Sequence, residues 1–132
     1  MSYKLIYAEE ALRDLELTAE YIKIKLCNIL VADRLVENFF SEAGSLDMFP
    51  TRYPLCKDEI LRAWGISFVP VSKYLLFYVV KEKEQTVYVL RFLYSRRDWQ
   101  KILREQLENT GGGYKTVFTT YYVQEETEKY NQ

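Results

Sequence analysis

The spacing of apolar positions changes twice along the chain. Residues 4–7, Lys-Leu-Ile-Tyr, are a short apolar run that reads as a strand. A stripe at Ala8, Leu12, Leu15, Ala19, Ile22 and Leu26 follows and predicts an amphipathic helix over 9–27, with Glu9, Glu10 and Asp14 placed to suit its dipole. Asn28 reads as a left-handed stop. Ala32, Leu35, Phe39, Ala43 and Leu46 then repeat the helical period over 31–48 until Phe49-Pro50 ends it, so two antiparallel helices with a short turn are expected.

Beyond Pro50 the segments 60–65, 68–71, 74–80 and 86–94 are rich in β-branched and aromatic residues and predict an antiparallel sheet. Alternation along the last strand places Tyr88, Leu90 and Phe92 on one face and Val87, Val89, Arg91 and Leu93 on the other. Both faces are apolar, so both are expected to be covered. A helix over 96–107 closes this part, and Thr110-Gly111-Gly112-Gly113 is a flexible joint before residues 114–132. The pattern is that of an α+β fold: an N-terminal strand, a two-helix antiparallel hairpin packed on a mainly antiparallel sheet and a short C-terminal helix, plus an extension that contains a strand.

Composition narrows the chemistry. Twelve Tyr, 7 Phe and 2 Trp in 132 residues can build a core without staples, since each buried ring removes roughly 150–250 Å² from water. Cys27 and Cys56 show no paired spacing and fit reduced thiols in the cytoplasm. Histidine is absent, which excludes Ser–His and Cys–His catalysis and HExxH zinc chemistry; no metal or cofactor is expected. The net charge of −1 predicts no whole-molecule attraction to nucleic acid or anionic lipid. No membrane association is expected either, because the longest apolar run, 74–80, is far short of a span.

Four blocks carry a family resemblance: Ala8-Glu9-Glu10-Ala11-Leu12-Arg13-Asp14-Leu15 with Glu20-Tyr21-Ile22, the 46–50 helix end, Val71-Ser72-Lys73-Tyr74-Leu75-Leu76-Phe77-Tyr78, and residues 87–98 from Val87 to Asp98. In this order they resemble the RelE/ParE family of bacterial toxin–antitoxin toxins, also known as plasmid stabilisation proteins, over roughly residues 3–103. Together with the glycine run, which the resemblance does not cover, this divides the chain into a domain over 1–107, a glycine-rich joint over 108–113 and an extension over 114–132. The resemblance implies a cytoplasmic growth inhibitor neutralised by a cognate antitoxin, with a homodimer left open. One branch of the family cuts messenger RNA on the ribosome and another poisons DNA gyrase.

Metal-free RNA cleavage needs a base, an acid and cations around the phosphate. The candidates for it are Arg62, Arg91, Tyr94 and Arg96, with Lys73 and Arg97 binding phosphate or target. Tyr94 stands where many relatives carry His, and a phenol of ordinary pKa, about 10, is a poor base at neutral pH. Residues 1–103 hold 15 Lys+Arg against 14 Asp+Glu, not the basic surface expected of a nuclease that docks on the ribosome. These features and the long hairpin favour the gyrase-directed branch; the alternatives are a ribosome-dependent endoribonuclease and an inactive relative.

Structural readings stand beside these. Arg91 has equal claim to a pairing with a carboxylate. Arg96, Arg97 and Asp98 fit the first turn of a helix, and Trp64, Trp99, Tyr74 and Tyr78 fit core or interface positions. Gly111 to Thr116 fails as a phosphate loop because Tyr114 precedes the Lys. The apolar stripe Val87, Val89 and Leu93 is the expected landing place of the antitoxin. Residues 104–132 carry 3 basic against 5 acidic groups, and Val117, Phe118, Tyr121, Tyr122 and Val123 form a strand-like run. That run is expected to pair with a sheet edge or the antitoxin groove of its own or a neighbouring molecule, with Glu125, Glu126 and Glu128 shielding Arg91 and Arg96; the alternative is an accessory extension that packs where it can.

Overall fold

The computed structural model describes residues 2–109. Strand β1, Lys4–Tyr7, leads through Ala8 into helix α1, Glu9–Ile24, and helix α2 is Ile29–Gly44. The two helices form the expected hairpin, burying Ala11, Leu15 and Ile22 from one and Ala32, Leu35, Phe39, Phe40 and Ala43 from the other. The turn between them differs from expectation. Cys27 takes the left-handed conformation (φ 50°), while Asn28 caps α2 by accepting a hydrogen bond from Val31 N at 3.2 Å. An Asn side chain that can satisfy an orphan amide at a helix start gains more there than by adopting positive φ. Leu26 therefore lies past the end of α1 and is exposed, and α2 stops at Gly44, leaving Leu46 to a 3-10 turn, Ser45–Asp47. Replacing Asn28 by Ala is expected to cost about 1 kcal/mol of stability, read as a lower urea midpoint.

Segment 60–65, expected as a strand, is instead the short helix α3, Glu59–Ala63. Asp58 starts it by accepting from Ile60 N at 3.0 Å and Leu61 N at 3.2 Å, and Gly65 (φ 77°) turns the chain out of it. The remaining strands are β2, Ile66–Val71, β3, Tyr74–Lys81, and β4, Thr86–Tyr94. The sheet order is β1-β4-β3-β2, with β1 parallel to β4 and the other pairs antiparallel. Pro70 is tolerated because β2 is an edge strand. Helix α4, Trp99–Asn109, begins later than expected: Arg96 and Arg97 lie in the preceding turn, and Asp98 Oδ1 accepts from Lys101 N at 3.3 Å. Of the joint expected over 108–113, Glu108 and Asn109 belong to α4, and the rest of it, with the strand expected in 114–132, lies outside the described residues.

A β-bulge corrects the facing of β4. Tyr78 pairs with Val89 but Phe77 pairs with Arg91, so Leu90 is an extra residue. Because Phe77 and Tyr78 point to opposite faces, Val89 and Arg91 do too, and Val87, Val89, Arg91 and Leu93 do not share a face as simple alternation predicts. One sheet face carries the hairpin, where Phe39 meets Phe92 and Phe40 edge-on, each at 5.0 Å between ring centroids. The other carries α4, where Trp99 packs on Phe77 at 5.1 Å and on Phe68 at 6.0 Å. Tyr78 is fully buried, and Trp64, Trp99 and Tyr74 are half-buried against the same core, the structural role anticipated for them.

Candidate functional site

Strand β1 is short, and its end determines what happens to Arg91. Ala8 N donates to Val89 O at 2.8 Å, after which the chain enters α1 and no longer follows β4. Asp14, on the second turn of α1, takes over at this edge: its Oδ2 accepts from the backbone N of Phe92 at 2.9 Å and from Arg91 Nε at 2.7 Å, and its Oδ1 accepts from Arg91 Nη2 at 2.9 Å. Arg91 Nη1 donates to Gln106 Oε1 of α4 at 3.1 Å. The guanidinium thus ties α1, β4 and α4 together. The side chains of Arg91 and Asp14 are only 17% and 12% exposed, so this is an interior fork, with the two parallel bonds that suit guanidinium to carboxylate.

The other sequence candidates divide between the two ends of the sheet. Lys73 lies in the β2–β3 turn, where its carbonyl accepts from Ser95 N at 2.9 Å, and Arg97 N donates to Tyr94 O at 3.0 Å. The rings of Tyr74 and Tyr94 lie 5.7 Å apart. Lys73, Tyr94, Arg96 and Arg97 therefore share one end, all exposed except the half-buried Tyr94. Arg62 is exposed on α3, which precedes β2, whereas Lys73 follows it; a six-residue strand of about 20 Å places Arg62 at the opposite end. The four residues Arg62, Arg91, Tyr94 and Arg96 do not converge.

Val87, Val89 and Leu93 are 0%, 0% and 1% exposed. The bulge sends Val89 and Leu93 to different faces, and both faces are covered, so the apolar stripe expected as an antitoxin landing place is core.

Exposed apolar surface lies elsewhere. Leu17, Tyr21 and Ile24 form a second stripe on α1, and Leu26, Ile29, Leu30 and Val31 continue it around the hairpin tip, with Leu30 the most exposed of the seven at 75%. The signal was present in the sequence as apolar residues at four- and three-residue spacing off the core stripe. Tyr74 locates this tip: burial first, then the neighbouring phenols of Tyr94 and Tyr21, raises its pKa above the ordinary value. Ala8 bonds to Val89 and Asp14 to Phe92, so α1 advances in the direction of β4 and carries Tyr21, about 10 Å further along the helix than Asp14, toward the Lys73–Tyr94 end of the sheet. The result is an apolar surface beside a basic rim. Among the described residues no group of three or more Cys, Asp or Glu is gathered to hold a metal ion, and no helix is long and apolar enough to cross a membrane.

Residues 5–99 match the family model described as the ParE toxin of the type II toxin–antitoxin system parDE. Among solved structures, a chain from a chromosomal ParDE toxin–antitoxin system of P. aeruginosa is similar, with a TM-score of 0.58 at 15% identity, over 70% of this chain and 96% of that one. A chain of the RelBE2 toxin–antitoxin complex of Mycobacterium tuberculosis aligns with a TM-score of 0.49 at 23% identity, over 71% of this chain and 99% of that one. No curated protein matches the chain significantly.

Proposed function

Because the chain belongs to the ParE toxin family of type II toxin–antitoxin systems, we propose that it arrests growth by binding DNA gyrase and that a cognate antitoxin neutralises it. The observation that carries this reading is the hairpin tip. Seven large apolar side chains at 42–75% exposure, carried on α1, the turn after it and the start of α2, are what a protein-binding toxin needs and what a nuclease does not. The basic rim formed by Lys73, Arg96 and Arg97 flanks this surface and suits an acidic partner face.

Ribonuclease chemistry draws less support. The Arg91 guanidinium is committed to Asp14 and Gln106, Arg62 sits at the far end of the sheet, and the chain has no His. Only Tyr94, Arg96, Lys73 and Arg97 remain together for that alternative.

Purified protein is expected to inhibit the ATP-dependent supercoiling of a relaxed plasmid by gyrase. The double substitution Ile24→Asp with Leu30→Asp is expected to weaken inhibition at least tenfold, a loss of about 1.4 kcal/mol of binding, while leaving the melting temperature nearly unchanged because both side chains are exposed. Unaffected gyrase together with rapid transcript cleavage on induction would replace this reading with the ribonuclease one. No growth arrest at all would leave an inactive relative.

A further inference from the structure

The loop after α2 presents one side chain at evident cost. Phe49 is 76% exposed and sits in the left-handed region at φ 58°, ψ 51°, where a bulky aromatic residue is an outlier. Arg52 holds it there. Its Nη1 donates to the carbonyls of Ser45, Met48 and Phe49 at 3.3, 3.0 and 3.1 Å, and its Nη2 donates to Ser45 Oγ at 2.8 Å. The same guanidinium lies 5.0 Å from the ring centroid of Tyr53. Pro50, buried and with fixed φ, anchors the other side, its carbonyl accepting from Tyr78 Oη at 2.7 Å. The strain opposes folding in the isolated chain and the exposed ring contributes nothing to offset it, whereas a partner that buries the ring finds it already in position.

The residue that follows this knob, Pro50, lines a hole. An open cavity of about 380 Å³ is lined by Pro50, Tyr53, Pro54, Leu55 and Val80, with Glu82 among its lining residues. Knob and hole are built from the same loop, 49–55, with Phe49 and the lining residue Pro50 adjacent in the chain.

We propose that the chain forms a two-fold homodimer in which Phe49 of each copy fills the cavity of the other. A patch that carries both halves of a contact is self-complementary, as a two-fold interface requires. Charge is compatible with this, since the knob side carries the Arg52 cation and the hole is lined by the Glu82 carboxylate, opposite signs that a two-fold pairing of the loop can bring together. Met48 and Leu55, 61% and 43% exposed in one copy, are covered in the pair. The patch lies where α2 ends, about 24 Å along that helix from the hairpin tip, so the dimer carries two outward-facing tips and stands whether or not gyrase is the target.

The test is sedimentation or light scattering of the full chain over a dilution series. The wild type is expected at twice the chain mass, dissociating on dilution. Phe49→Gly is expected to be monomeric at the same concentrations with a melting temperature equal or higher, because glycine takes the left-handed conformation without strain. Leu55→Glu, which leaves the loop backbone alone, is expected to weaken association at least tenfold and reads the same interface should Phe49→Gly fold poorly. A wild type that stays monomeric up to its solubility limit, or a dimer that survives Leu55→Glu unchanged, overturns the proposal.

Discussion

Replacing Arg91 by Ala is expected to destabilise the domain by about 3 kcal/mol, the scale for removing one partner of a buried ion pair. The substitution strips two of the three hydrogen bonds from Asp14, leaves a carboxylate that is only 12% exposed without its cation, and frees the Gln106 acceptor that Arg91 Nη1 satisfied. With Tm shifting roughly 4 °C per kcal/mol in a domain of this size, the melting temperature falls by about 12 °C. Asp14→Ala is expected to cost a similar amount, since it also orphans the Phe92 amide at the edge where β1 has ended. The double variant should cost clearly less than the two singles added together, by roughly 1–3 kcal/mol, because each single already breaks the fork. A thermal double-mutant cycle measures this. An Arg91→Ala protein with an unchanged melting temperature and lost toxicity would show instead that Arg91 serves the target.

That fork also marks the limit of reading the sequence alone. A pairing of Arg91 with some carboxylate was a legible alternative, but its partner lies 77 residues away on α1, and nothing in local spacing singles out Asp14 among the acidic residues. The hairpin was legible because its core stripe repeats with the helical period, and β3 and β4 were legible because they are long, β-branched and bounded by charged or turn residues. Segment 60–65 was not. Ile60-Leu61 and Ala63-Trp64 are too short a run for periodicity to separate strand from helix, and the deciding feature is the cap at Asp58, before the apolar residues begin.

The bulge at Leu90 escaped for a different reason. It is set by how β4 must pair with β3 on one side and with β1 and then Asp14 on the other, so simple alternation carried Arg91 and Leu93 to the wrong face. The same tertiary pairing separated Arg62 from Tyr94, which a strand over 60–65 had seemed to bring toward the sheet. The basic end at Lys73, Tyr94, Arg96 and Arg97 could be anticipated, because consecutive antiparallel strands return the chain to the same edge.

Stability is expected to fall steeply between pH 9 and 12, and two buried groups account for much of the fall. Burial, with the Asp58 carboxylate adding to it, pushes the Cys56 thiol from 9.0 up to about 11. Burial likewise pushes the Tyr78 phenol from 10.0 up to about 12, against the smaller opposing effects of Ser67 and the Arg52 cation. In both cases the folded pKa lies above the unfolded one. The stabilisation is therefore fully present below the unfolded value and is lost as pH rises through the folded one, because the unfolded chain releases its proton first. The windows are pH 9 to 11 for Cys56 and pH 10 to 12 for Tyr78. At about 1.4 kcal/mol per pH unit, each group withdraws roughly 3 kcal/mol across its window. Tyr78 carries a further consequence, since a phenolate cannot donate to Pro50 O, the contact that anchors the Phe49 loop. Urea denaturation from pH 7 to 12 reads both effects as differences between variants. Cys56→Ala should flatten the curve from pH 9 to 11, and Tyr78→Phe, at a cost of about 1 kcal/mol at neutral pH for the lost hydrogen bond, should flatten it from pH 10 to 12. Variants that lose stability with pH in parallel with the wild type would show that neither group stays protonated in the folded chain beyond its ordinary range.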